Sequence, residues 1–161
     1  MLHPSSVEVV CRSPEETRAV GHAMGRCAGP GDLYLLIGQL GAGKTCLTQG
    51  ILWGLGVDDY ARSPTFVLVT QHRGRLPLFH VDLYRVETPE EVAELGLDEH
   101  ALEEGICVVE WADRGAGFFP EDHLEVRFEY LGENERRLLL TARPGRYDAV
   151  MDAVRSAASA R

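Results

Sequence analysis

Residues 33–45 read Leu33-Tyr34-Leu35-Leu36-Ile37-Gly38-Gln39-Leu40-Gly41-Ala42-Gly43-Lys44-Thr45. The apolar run Leu33 to Ile37, bounded upstream by Gly29-Pro30-Gly31, has the look of a short buried strand, and residues 38–45 fit G-x-x-x-x-G-K-S/T. Leu47, Ile51, Leu52 and Leu55 then recur at helical spacing as far as Gly54-Leu55-Gly56. The glycine loop therefore stands between a strand and a helix, the context in which it cradles phosphate. Its glycines let the backbone curl until successive N–H groups face phosphate oxygens, and the positive end of the helix starting at Gly43 adds to that field. Lys44 is placed to neutralise the β- and γ-phosphates, and Thr45 offers a hydroxyl to Mg²⁺. With average residue usage the pattern arises in a chain of this length about once in a hundred sequences or fewer, which sets aside an ordinary glycine-rich turn.

Upstream, Val7 to Cys11 reads as a strand that runs into Ser13-Pro14-Glu15-Glu16, a capping box with proline at the first helical position. The helix after this box is expected to reach Ala28, with Val20, Met24 and Cys27 on its inner face. Beyond the glycine loop, Phe66 to Thr70 and Leu76 to Leu83 read as two strands joined by a polar turn through Arg73-Gly74. A hairpin there makes the sheet mixed. Thr88-Pro89-Glu90-Glu91 opens a second helix, expected to break at Gly96 and resume from Asp98 toward Leu102. Ile106 to Glu110 is a short buried strand, Leu124 to Tyr130 and Arg137 to Ala142 form a hairpin with one wet face, and Tyr147 to Ala158 is a helix or a frayed tail. There is no repeat or linker, so residues 1–161 are read as one domain.

A phosphate-binding loop needs a second acidic group for its metal, typically at the end of a neighbouring buried strand. Leu78-Phe79-His80-Val81-Asp82 supplies one in Asp82. His80 lies on the same side of that strand, but Mg²⁺ prefers oxygen, so His80 is read as a hydrogen-bonded strand histidine. Glu110 ends the next apolar run and is a candidate for orienting water or metal near the γ-phosphate, with ion pairing as its alternative. Trp111 beside it either packs over the site or belongs to the core. In Ser63-Pro64-Thr65, Thr65 is a candidate second hydroxyl for the metal, with a plain turn as the alternative. The nucleotide-contacting set is thus Gly38, Gln39, Leu40, Gly41, Ala42, Gly43, Lys44, Thr45, Cys46, Thr65 and Trp111, and the metal set Thr45, Asp82, Thr65 and Glu110.

Lys44 is the only lysine, so no N-K-x-D or T-K-x-D guanine-reading motif exists, which favours ATP over GTP. There is no L-S-G-G-Q segment either. A formal charge of -9 opposes direct capture of a polyanion, so nucleic acid is expected to be held mainly by partners. The four cysteines are too widely spaced for a C-x-x-C pair and read as reduced thiols. The N-terminus shows no basic region followed by an apolar stretch and no run is long enough to span a membrane, giving a cytoplasmic expectation with no membrane partner.

Gly38-Gln39-Leu40-Gly41-Ala42-Gly43-Lys44-Thr45, Ser63-Pro64-Thr65-Phe66, His80-Val81-Asp82-Leu83-Tyr84-Arg85 and Glu110-Trp111, in this order and spacing, resemble the bacterial TsaE family, the small P-loop ATPases of tRNA threonylcarbamoyladenosine biosynthesis. The resemblance runs from Val7 to Ala142. It implies an α/β, P-loop NTPase-like mixed sheet with a parallel centre, antiparallel flanking strands and helices on both faces. It also implies ATP and Mg²⁺ as ligands, weak hydrolysis alone, and two partners, TsaB and the catalytic subunit TsaD, which carry out the transfer to a tRNA adenosine beside the anticodon. By motif, Lys44 and the loop amides grip phosphates, Thr45 and Asp82 hold Mg²⁺, Thr65 belongs to a switch-like segment and Glu110 supports hydrolysis. Gln39 departs from the acidic residue common there, Cys46 from a second threonine and His72 from tyrosine. A small-metabolite kinase and a non-hydrolysing nucleotide sensor are the competing readings of the same loop.

Overall fold

Strands that are apolar on both faces must be covered on both sides, whereas strands that alternate can leave one face in water. Both kinds occur in one sheet here. The computed structural model describes residues 3–39, 43–61, 69–88, 90–91, 94, 99–115 and 119–159. Its elements are β1 (Ser5–Cys11), α1 (Pro14–Cys27), β2 (Leu33–Ile37), α2 (Lys44–Gly54), β3 (Val69–Arg73), β4 (Pro77–Asp82), α3 (Glu99–Glu104), β5 (Ile106–Glu110), a 3-10 turn (Ala112–Gly115), β6 (Leu124–Tyr130), β7 (Arg136–Ala142) and α4 (Asp148–Ser159).

The seven strands form one sheet in the order β1-β7-β6-β2-β5-β4-β3. The centre is parallel, with β2 between β6 and β5 and β4 beside β5; β1–β7, β6–β7 and β3–β4 are antiparallel. The expected mixed sheet is therefore present. Tyr34, Leu36, Ile106, Val108, Leu124 and Val126 face a core closed by α1, α2 and α4. Leu35, Val81, Cys107 and Val109 face the other way, where Leu102 of α3, Ala112 and Phe119 cover them.

Local chemistry sets the boundaries. Ser13 caps α1 by accepting from the Glu16 amide at 3.2 Å, and Glu16 reaches back to the Arg12 amide at 2.7 Å. Val20 and Met24 are buried as expected, but Cys27 is exposed. The inner face of α1 is completed instead by Gly21 and Gly25, which lie against the backbone of α2. A Cβ on Gly21 would stand 2.2 Å from the Leu47 carbonyl oxygen, and one on Gly50 of α2 would stand 2.1 Å from that of Arg18. Sequence periodicity weighs only apolar side chains, so it missed a face made by their absence.

The two strands of the β3–β4 hairpin are displaced from expectation. β3 runs on to Arg73, opposite Pro77, so the turn falls at 74–76; positions 66–68 lie outside the described residues. Pro77 lacks an N–H and stands at the first position of β4. Arg75 in the turn ties it to the helix ends, its Nη2 donating to the carbonyls of Gly25 at 2.9 Å and Ala28 at 3.0 Å. The helix expected from Thr88 lies mostly outside the described residues; its resumption appears as α3, starting just after Asp98 and running past Leu102. The C-terminal segment is the helical alternative, α4, with Val150, Met151 and Val154 buried.

Candidate phosphate and metal site

In a parallel sheet the carboxyl ends of adjacent strands converge on one edge, where helix N-termini also point. At that edge β2 ends in Gly38 and Gln39, β4 in Asp82 and β5 in Glu110, with Asp82 opposite Glu110 in register. Residues 80, 82 and 110 share the face that α2 covers, because 78, 106 and 108 of the same strands line that core. α2 begins at Lys44, capped by Gly43 at φ 104°, a conformation that glycine adopts without strain.

Lys44 is buried, and its Nζ donates to the Gly38 carbonyl at 2.6 Å while lying 3.3 Å from the centroid of the Trp111 ring. The ammonium is thus gripped between a carbonyl and a π face. Trp111 adopts this position with φ 58°, the only positive φ at a non-glycine among the described residues. The ring lies over Lys44 and also packs against the core cluster of Leu35, Val81 and Val109, so it meets both of its sequence readings, and Tyr84 lies tilted against it at 5.0 Å between centroids. A bulky residue in this conformation is unusual outside functional sites.

Glu110 is buried between two groups. Its Oε1 accepts from the Thr45 hydroxyl at 3.4 Å, and its Oε2 contacts Nε2 of the fully buried His80. Asp82 accepts from the Tyr84 amide at 2.9 Å. Burial lifts the Asp82 carboxyl above its ordinary pKa, and the Glu110 carboxylate adds to the rise against the Tyr84 amide, His80 and Lys44. Burial lowers the Lys44 ammonium, and the carboxylates of Glu110, Asp82 and Asp113 pull it back up. One cation therefore faces three acidic side chains. A divalent cation would offset that excess of negative charge.

The donor set available to that cation is a hydroxyl and two carboxylates, all hard oxygens, which fits Mg²⁺. Among the described residues no group of three His, Cys, Asp or Glu side chains forms a cage. A cleft of about 430 Å³ opens beside Gly38 and Gln39, lined also by Trp111, Asp113, Phe128 and Tyr130.

Of the expected site residues, Gly38, Gln39, Gly43, Lys44, Thr45, Asp82, Glu110 and Trp111 meet at this edge. Cys46 sits half-buried on the first turn of α2, 3.9 Å from an Arg18 nitrogen. Leu40, Gly41, Ala42 and Thr65 lie outside the described residues. Sequence reasoning missed Asp113 and the His80–Glu110 contact. Asp113 follows Glu110 by three residues in a 3-10 turn, which no hydrophobic period announces.

Among the described residues no helix is long and apolar enough to cross a membrane. The family model described as Threonylcarbamoyl adenosine biosynthesis protein TsaE matches residues 11–138. A Bacillus subtilis relative, "tRNA threonylcarbamoyladenosine biosynthesis protein TsaE", is 40% identical over 141 residues, covering 87% of this chain and 88% of its own. One of the same description from Treponema pallidum is 36% identical over 129 residues, 80% of this chain and 96% of its own. The solved structure "Crystal structure of Bacillus subtilus YdiB" superposes with a TM-score of 0.81 at 32% identity, covering 97% of this chain and 98% of that one. A family model that matches most of the chain, and relatives at these identities along most of it, lead to one conclusion: the chain belongs to the TsaE family.

Proposed function

We propose that this protein is an ATP-binding, weakly ATP-hydrolysing accessory factor in threonylcarbamoyl modification of a tRNA adenosine beside the anticodon, acting with TsaB and TsaD in the cytoplasm as one P-loop domain. The observation that carries the proposal is the convergence of Lys44, Thr45, Asp82 and Glu110 on one edge of the parallel centre. The names of the relatives support the pathway.

In this reading Lys44 leaves the Gly38 carbonyl and grips β- and γ-phosphate oxygens, joined by loop amides at the positive end of α2. Thr45 and Asp82 would hold Mg²⁺, which supplies charge neutralisation between the phosphates, and Thr65 belongs to the same set by motif. Glu110 orients the attacking water, and Trp111 closes the side of the site and limits solvent. The net charge of -9 keeps tRNA on the partners rather than on this chain.

The test is hydrolysis by the pure protein, alone and then with TsaB, TsaD and unmodified tRNA. Faint release of phosphate alone and a rise with the partners is the expected result. Phosphate appearing on an added metabolite would show a kinase instead, and partner-dependent function surviving Glu110→Ala without hydrolysis would show a nucleotide sensor.

A further inference from the structure

We propose that His80 is a positioning residue that fixes the Glu110 carboxylate and thereby decides which of its oxygens faces the phosphate site. This role rests on the ATPase reading of Glu110.

The pairing of β4 and β5 brings the two together. Asp82 lies opposite Glu110 and His80 opposite Val108, so His80 is the diagonal neighbour of Glu110 on the same face of the sheet. Both side chains are removed from solvent, His80 at 0% and Glu110 at 3% relative exposure. A carboxylate so buried is costly unless hydrogen-bonded. The Thr45 hydroxyl is one partner of Glu110, but at 3.4 Å it is near the limit of a hydrogen bond. The Asp82 carboxyl raises the electrostatic cost of the charge rather than relieving it. The close partner is Nε2 of His80, which contacts Oε2.

An ionised carboxylate only accepts, so the Nε2 that faces it must carry a proton. The other ring nitrogen, Nδ1, is buried and has no hydrogen-bond partner among the described residues. The carboxylate is thus the group that selects the tautomer and orients the ring, and the packed ring in turn holds Oε2. With Oε2 engaged, Oε1 is the oxygen left facing Thr45 and the phosphate edge. A glutamate has three side-chain torsions; pinning one oxygen in place removes most of that freedom before any substrate arrives.

Two measurements test this. The first is the ¹⁵N NMR spectrum of histidine-labelled protein at neutral pH, which is expected to show His80 carrying its proton on Nε2 in a hydrogen bond, with that signature lost in Glu110→Ala. A His80 protonated at Nδ1 alone would overturn the proposal whatever the protein hydrolyses.

The second is hydrolysis with the partner proteins present. His80→Leu is expected to lower kcat about tenfold or more with Mg·ATP affinity within about twofold of wild type, since the side chain does not reach the phosphates. His80→Gln, which places an amide N–H near the Nε2 position, should recover most of the rate. Neither replacement should reduce the rate further in a Glu110→Ala background. Full activity in a folded His80→Leu, equal loss in the Gln and Leu variants, or additive losses with Glu110→Ala would each overturn it. If Glu110→Ala itself leaves hydrolysis intact while the Nε2 signature is as expected, the contact stands and the hydrolytic reading of Glu110 fails.

Discussion

Glu110 and Glu129 sit on the two strands that flank β2, yet they belong to different physical worlds. Glu110, at the end of the parallel β5, is buried against His80 under the first turn of α2. Glu129, on β6 beyond its parallel pairing with β2 and opposite Arg137 of the antiparallel β7, is 61% exposed and pairs with Arg137 at 3.0 Å, which also reaches Glu8 at 2.9 Å. Earlier on β6, Arg127, 57% exposed, pairs with the half-buried Glu125 at 3.0 Å. Charges at the buried end of β4 and β5 gain strength from desolvation and act on one another, whereas charges on the β6–β7 hairpin flank are screened and dress a wet face. The residue type is the same, and the helix N-terminus above it decides the role.

The sharpest way to break this contrast is to remove the one buried cation of the centre. Lys44→Ala should weaken Mg·ATP binding by about a hundredfold or more, because it deletes the phosphate grip and leaves Glu110, Asp82 and Asp113 uncompensated. Undiminished affinity in a folded variant, measured by calorimetry, would refute the site. Next in size is the seam behind it. Gly50→Ala places a methyl 2.1 Å from the Arg18 carbonyl oxygen. It should destabilise the fold by about 2–3 kcal/mol, read from urea unfolding, because backbone and not a flexible side chain must move.

A third test uses pH. Cys107 is fully buried in β5 and burial pushes its thiol up from 9.0 to about 12. A pKa raised on folding stabilises the fold fully below the unfolded value, and that contribution is lost as pH rises from about 9 to about 12. The urea midpoint should therefore fall more steeply above pH 9 in wild type than in Cys107→Val, and parallel curves would contradict the assignment. The smallest effect belongs to the flank: Arg127→Ala should change stability by about 0.5 kcal/mol or less, and less still in high salt. A loss comparable to that of Gly50→Ala would erase the distinction between centre and flank.

Much of this was legible in the chain before folding. The boundaries of β2, β5 and β6 and the burial of Leu47, Ile51 and Leu52 followed from apolar period and glycine punctuation, which are local signals. The Lys44, Thr45, Asp82 and Glu110 constellation followed from motif and strand ends. The features that were not legible depend on contacts between distant segments. The His80–Glu110 contact spans 30 positions, and its diagonal geometry is fixed only by the β4–β5 register. The positive φ of Trp111 has no glycine to mark it. The glycine face of α1 has no side chains to count, and so periodicity assigned Cys27 to the interior instead.

That glycine face also bears on the order in which the chain assembles. Each internal glycine weakens an isolated helix by about 1 kcal/mol relative to alanine, so α1 with Gly21 and Gly25 and α2 with Gly50 and Gly54 are poor helices apart. Pressed backbone to backbone, they need no side chain between them and support each other. β1 must wait for β7, and β2 for β5 and β6, all from the far half of the chain. The α1–α2 seam closes within the first third of the chain, so on the ribosome it is the earliest extensive interface that can form. The helix turn bearing Lys44 is thus braced by a neighbour that precedes it in the chain, whereas the strands that bring its carboxylates follow it.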